Sequence, residues 1–130
     1  MIKRLLAFGT IALFFAATFS TTIPARAGFC CAFNYTVTNR TSKGAKLTFW
    51  RNSILKSGHR ITVEAWVGAG ERVKVSLPED KVWWKMNAAF KSAGESSRTI
   101  ATADQDWYLQ KNSSDRLVEE NGRYEWAAGS

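Results

Sequence analysis

Residue types that carry metal and nucleophile chemistry are scarce in this sequence. It has one histidine, His59, and two cysteines, Cys30 and Cys31. No thiol or carboxylate lies at ligand spacing from His59, so no metal site is predicted. A Gly-x-Ser-x-Gly motif is absent, and the glycines of residues 68–70 lack the spacing and the lysine of a phosphate-binding loop. These absences predict a protein that has no cofactor and is not an enzyme.

The two cysteines are adjacent, which limits how they can be used. A disulfide between neighbours closes a small, strained ring and is disfavoured. In an oxidising compartment an intermolecular disulfide is the better expectation, so Cys30 and Cys31 predict a cysteine-linked homodimer. The alternative is an N-terminus in which they have no functional role.

Long apolar runs are also missing, with one exception near the start. Lys3 and Arg4 precede an uncharged apolar run over residues 5–19, and Ala-Arg-Ala follows at 25–27. This order predicts a secretory signal peptide over 1–27, cleaved before Gly28. The alternative, an uncleaved anchor, is disfavoured because the run is shorter than the roughly 18 residues of a spanning helix. We therefore expect one domain over 28–130 that is secreted or periplasmic and not an integral membrane protein.

Removal of that segment changes the charge balance. The chain has 18 basic and 11 acidic residues; three basic ones, Lys3, Arg4 and Arg26, lie in the signal, which leaves 15 against 11 and a net charge of +4. A mildly basic domain suits anionic surfaces. The basic residues are scattered and no nucleic-acid-binding motif accompanies them, so nucleic acid is not an expected partner.

What the sequence does contain is short segments in which apolar and polar residues alternate. Such alternation predicts half-buried strands. Turn-forming residues at 39–44 predict a hairpin between the first two segments. Asn121-Gly122 predicts a second hairpin with Glu120 opposite Arg123. The pattern predicts a mainly β domain, a small antiparallel sandwich or barrel of about seven to eight strands.

The segment "KVWWKMNAAFK", residues 81–91, fits two structures. As a strand it buries Trp84 and leaves Trp83 on the outer face with Lys81 and Lys85. As part of a single helix around 77–93 it would bury Trp83 and expose Trp84 instead. The flanking segments favour the strand. In both cases one indole is left among lysines.

Two further tryptophans, Trp50 and Trp66, are also out of phase with the apolar faces of their segments. One interpretation is that the C-terminal strands, which carry Trp107, Tyr108 and Trp126, cover these indoles and make them core. The other is an exposed aromatic platform, since an indole suits sugar rings and lipid headgroups. The predicted binding residues are Trp83, Lys81 and Lys85, extended by Trp50 and Trp66.

Three functions follow from these observations. The first is a non-catalytic binding module that engages envelope or host-surface material, a glycan or an anionic lipid, through its aromatic and basic face. The second is a protein–protein role as a secreted inhibitor, an effector or a structural envelope component. The third is a small hydrolase that uses Asp104 and Asp106, which would share one side of an extended segment.

Overall fold

The structure is a computed structural model, and it describes residues 32–130. The predicted signal peptide and the predicted disulfide residues Cys30 and Cys31 lie outside the described residues. The elements of the described part are all strands: β1 (Phe33–Asn39), β2 (Ala45–Asn52), β3 (Arg60–Val67), β4 (Arg72–Leu77), β5 (Val82–Lys91), β6 (Thr99–Leu109), β7 (Ser114–Glu120) and β8 (Arg123–Ala128). The prediction of a mainly β domain with seven to eight strands is confirmed.

The eight strands form two four-stranded sheets, in the orders β8-β7-β1-β4 and β3-β2-β5-β6. No strand belongs to both sheets, so the domain is a sandwich and not one closed sheet. All pairs but one are antiparallel. The exception is β1 with β7, which run parallel with Thr36 aligned to Ser114.

The ambiguous segment 81–91 is a strand, and no helix forms around 77–93. Trp84, Met86, Ala88 and Phe90 are fully buried, whereas Trp83 lies on the opposite face. This burial follows the alternation of apolar and polar residues over 81–91, because an interior strand of the sheet points every second side chain into the core.

The two predicted hairpins have opposite outcomes. Asn121 and Gly122 both have positive φ, as a tight hairpin turn requires, and Glu120 pairs with Arg123. The hairpin predicted at 39–44 is wrong, because β1 and β2 lie in different sheets. The segment crosses between the sheets, and the buried Asn39 amide stabilises it by donating to the carbonyls of Lys43 (2.8 Å) and Gly68 (3.1 Å).

The core lies between the two sheets and includes a buried polar pair, Tyr35 and Asp115. The Tyr35 hydroxyl donates to Asp115 Oδ2 at 2.6 Å, and Asp115 Oδ1 accepts from the Gly129 amide at 2.9 Å. Burial, together with the adjacent Asp115 carboxylate, raises the pKa of Tyr35 far above its usual range. The pair connects a central strand of one sheet to the chain beyond β8.

Candidate functional site

Two aromatic side chains stand next to each other on the outer face of the second sheet. Trp83 on β5 pairs in register with Tyr108 on β6, which places their side chains on the same face. Their ring centroids are 6.2 Å apart, with planes inclined at 73°. Trp83 is 60% exposed and Tyr108 is 48% exposed, so the pair presents apolar ring surface to solvent. Exposed indoles of this kind are uncommon on surfaces that contact nothing.

The aromatic pair forms part of a shallow cavity of about 440 Å³. Its other residues come from the ends of three adjacent strands and from the turn before β5. The full lining is Arg51, Asn52, Lys81, Val82, Trp83, Lys85, Asp106 and Tyr108. We call this feature the aromatic cavity. It therefore combines two rings with amide, ammonium, guanidinium and carboxylate groups.

The charges in the aromatic cavity are partly balanced. Lys85 Nζ lies 3.2 Å from Asp106 Oδ2, and both side chains are more than half exposed. An ion pair at that exposure contributes little to stability and separates readily for a ligand. Lys81 makes no ion pair within residues 32–130. The cavity thus presents one free ammonium beside a pair that can rearrange.

Arg51, which lines the aromatic cavity, also belongs to an ion pair with the buried Glu79. Arg51 Nε lies 3.0 Å from Glu79 Oε1, and the side chains are 13% and 2% exposed. The Arg51 guanidinium carbon lies 5.8 Å from the centroid of the Trp84 ring, and Arg51 Nη1 donates to the carbonyl of Trp83. Trp84 Nε1 donates to the Glu79 carbonyl at 2.9 Å. These contacts fix the backbone that carries Trp83.

Glu79 also holds the loop between β2 and β3. Its Oε2 accepts from the Ser53 hydroxyl at 2.7 Å, and its Oε1 accepts from the Ile54 amide at 3.3 Å. Ser53 in turn accepts from the amides of Leu55 and Lys56, at 3.0 and 3.1 Å. The loop over 53–59 is therefore fixed to the rim of the aromatic cavity by one carboxylate.

The structure brings together three of the five predicted binding residues. Trp83, Lys81 and Lys85 all line the aromatic cavity. Trp50 pairs in register with Lys85 but is half-buried, with the guanidinium of Arg60 5.6 Å from its ring centroid. It therefore borders the cavity.

Trp66 lies elsewhere on the same face. It pairs with Lys46, which pairs with Ala89, and Ala89 is six residue steps, or about 20 Å of strand, from Trp83. Its ring packs against Gly44, where a side chain would overlap the indole. The geometry separates Trp66 from the aromatic cavity and gives it a packing role.

The C-terminal aromatic residues do not cover Trp83. Trp126 is buried in the core, where its Nε1 donates to the Ala103 carbonyl at 3.0 Å. Trp107 packs on Trp126 with ring centroids 6.4 Å apart. Tyr108 points the other way and becomes part of the exposed pair. Tyr108 and Arg51 are cavity residues that the sequence did not indicate, because their positions depend on strand pairing.

The two aspartates considered for hydrolysis lie on the outer face of β6. Asp106 pairs with Lys85, and Asp104 Oδ1 accepts from Asn87 Nδ2 at 2.8 Å. Within residues 32–130 no group of three or more histidine, cysteine or acidic residues is arranged to hold a metal ion. The same residues contain no helix long and apolar enough to cross a membrane.

No protein-family model matches the chain, and neither the curated proteins nor the solved structures yield a significant match.

Proposed function

We propose that the protein is an exported, non-catalytic binding module that engages glycans of the cell envelope or of a host surface through the aromatic cavity. The signal-like segment over 1–27 supports export to the periplasm or beyond. The observation that carries the proposal is the exposed Trp83–Tyr108 pair, surrounded by hydrogen-bonding side chains in a concave site. Sugars need both features because their rings have apolar C–H faces and polar hydroxyl edges.

Each component of the cavity has a role in this proposal. The Trp83 ring offers a flat apolar surface for the face of a pyranose ring, and Tyr108 borders it at 6.2 Å. Asn52 and Asp106 can exchange hydrogen bonds with hydroxyl groups at the edge of the ring. Arg51, paired with Glu79, donates to the Trp83 carbonyl and so holds the backbone of the aromatic pair in place before binding, which lowers the ordering cost.

Charge favours an acidic sugar over a neutral one. The cavity holds Arg51, Lys81 and Lys85, whereas Glu79 and Asp106 compensate two of these three charges. Lys81 is left to pair with a carboxylate or sulfate on the ligand. A uronate-containing polysaccharide combines that group with the required ring faces.

The second candidate is a protein partner bound at the same aromatic residues. Tryptophan and tyrosine are enriched at protein interfaces, and the predicted intermolecular disulfide of Cys30 and Cys31 would add a covalent homodimer. A stable complex of fixed stoichiometry, unaffected by added polysaccharide, would favour this candidate. The hydrolase alternative requires that Asp104→Asn/Asp106→Asn abolish a measurable turnover.

Retention on immobilised polysaccharide tests the proposal. Wild-type protein should be retarded on alginate, a uronate polymer, more than on neutral dextran. Trp83→Ala should weaken alginate binding at least about tenfold, because the side chain loses a ring contact on the order of 1.5 kcal/mol or more. Since the indole is 60% exposed, thermal stability should change little.

Two controls separate stacking from other effects. Trp83→Tyr keeps a flat ring and should retain most of the affinity, whereas Lys81→Gln should reduce the preference for alginate over dextran. Equal retention of wild type and Trp83→Ala on a panel of acidic and neutral polysaccharides would refute the proposal.

A further inference from the structure

Exposed apolar side chains are concentrated at one end of the second sheet. In the described part of the chain five large hydrophobic residues are exposed: Ile54, Leu55, Trp83, Ile100 and Tyr108. Trp83 lies near the start of β5, opposite Tyr108 near the end of β6, and Ile54 and Leu55 are in the adjacent loop. Ile100 alone lies at the opposite end, where Lys91 pairs with Thr99.

The loop between β2 and β3 exposes Ile54 and Leu55, and we call these two side chains the apolar tip. Ile54 is 63% exposed and Leu55 is 48% exposed. The Ile54 amide donates to the Glu79 carboxylate, and the Leu55 amide donates to the Ser53 hydroxyl. These bonds fix the backbone of the loop, and both side chains are left exposed to solvent. A loop fixed in this way presents two aliphatic side chains to solvent without the ordering cost of a flexible loop.

Cationic side chains surround this tip. The three loops at this end, 53–59, 78–81 and 110–113, contain Lys56, Lys81 and Lys111. Their acidic residues are Glu79, which is paired with Arg51, and Asp80. The loop end therefore carries a net positive charge around an apolar centre, a distribution that complements the anionic headgroups and the acyl region of a bilayer.

We infer that this end of the sandwich docks on an anionic lipid bilayer, with Ile54 and Leu55 inserted below the headgroups. Trp83 and Tyr108 then lie at headgroup level, where aromatic residues are enriched. Lys56, Lys81 and Lys111 contact anionic headgroups. The inference shares Trp83, Tyr108 and Lys81 with the proposed function, but its inserted residues are different ones. Ile54 and Leu55 do not line the aromatic cavity, so the two proposals can fail separately.

Vesicle flotation tests the inference. Wild-type protein should float with vesicles of phosphatidylcholine containing about a third phosphatidylglycerol, and much less with phosphatidylcholine alone. Raising the salt from 0.1 to 0.5 M should weaken binding because the charges are exposed and screened. Replacing Ile54→Ser and Leu55→Ser together should reduce partitioning at least about tenfold. The double variant should keep its alginate retention.

Matched variants make the result specific. Ile100→Ser removes a comparable exposed side chain at the opposite end and should leave flotation unchanged. Leu55→Ser alone serves as a milder second variant if the double variant unfolds, and it should reduce partitioning by a smaller factor. Both changes are at exposed positions, so thermal melts should stay close to wild type.

Several outcomes would overturn the inference. Absence of wild-type flotation with retained alginate binding would refute bilayer docking and leave the glycan proposal standing. Flotation that survives Ile54→Ser/Leu55→Ser, or that is lost equally in Ile100→Ser, would refute insertion of this loop. A dimer that dissociates in the double variant, without vesicle binding, would assign the tip to a second copy of the chain.

Discussion

Replacing Glu79 with glutamine should destabilise the domain far more than loss of any surface ion pair. Glu79 is 1% exposed and is paired with Arg51. Its carboxylate also accepts hydrogen bonds from Ser53 and Ile54. Glutamine has nearly the same shape but no charge, so the substitution leaves the Arg51 guanidinium buried without a counter-charge.

The expected cost can be estimated from the environment of Arg51. Removing one partner of a fully buried ion pair typically costs about 3–5 kcal/mol. Arg51 remains 13% exposed, lies over the Trp84 ring and donates to the Trp83 carbonyl, and these contacts compensate part of the loss. We expect Glu79→Gln to lower the free energy of unfolding by about 2–3 kcal/mol. For a domain of this size that corresponds to a fall in Tm of about 8–24 °C.

Urea denaturation of the wild type and of four variants, Glu79→Gln, Arg51→Met, the double variant and Lys85→Gln, measures this effect. Arg51→Met together with Glu79→Gln should recover part of the loss, because no buried charge is then left unpaired. Lys85→Gln is the matched control. It breaks the exposed pair with Asp106, where both side chains are more than half exposed, and should cost less than about 1 kcal/mol.

The reasoning fails if Glu79→Gln costs less than about 0.5 kcal/mol with an unchanged urea dependence. It also fails if Lys85→Gln costs as much. A double variant that is less stable than the sum of the two single changes would show that Arg51 and Glu79 stabilise the fold through other partners.

Two further predictions concern packing and alkaline stability. Gly44→Ala places a side chain on the Trp66 ring and should cost about 1–3 kcal/mol in urea denaturation, and less in a Trp66→Ala background; equal costs would contradict the packing role of Trp66. The raised pKa of Tyr35 means that the unfolded chain loses this proton near pH 10 while the folded chain keeps it. Its contribution is therefore complete below pH 10 and falls by about 1.4 kcal/mol per pH unit above it. Tyr35→Phe should reduce the alkaline decline of the unfolding free energy, and an unchanged decline would refute this.

Much of the fold could be predicted from local pattern. The alternation in residues 81–91 gave the correct strand and the correct exposed indole, and Asn121-Gly122 gave a correct hairpin with its register. The turn at 39–44 was misjudged because turn residues are equally compatible with a hairpin and with a crossing between sheets. The buried Asn39 amide, which stabilises the crossing, has partners 28 and 29 residues away that no local pattern reveals.

The candidate site, too, could be predicted only in part from the sequence. Trp83 and its lysines could be predicted because side chains two residues apart on a strand lie on the same face, which is a property of the backbone alone. The cavity could not, because it requires β6 to pair with β5 so that Tyr108 and Asp106 lie beside Trp83 and Lys85.

The sequence by itself determined which face of each strand is apolar and which indole stands among lysines, since both follow from the two-residue period of extended backbone. Only the tertiary structure decided which strands are neighbours. That choice depends on burying both apolar faces at once and on buried partners such as Arg51 and Glu79, which meet from different segments. The aromatic cavity and the apolar tip are consequences of that pairing.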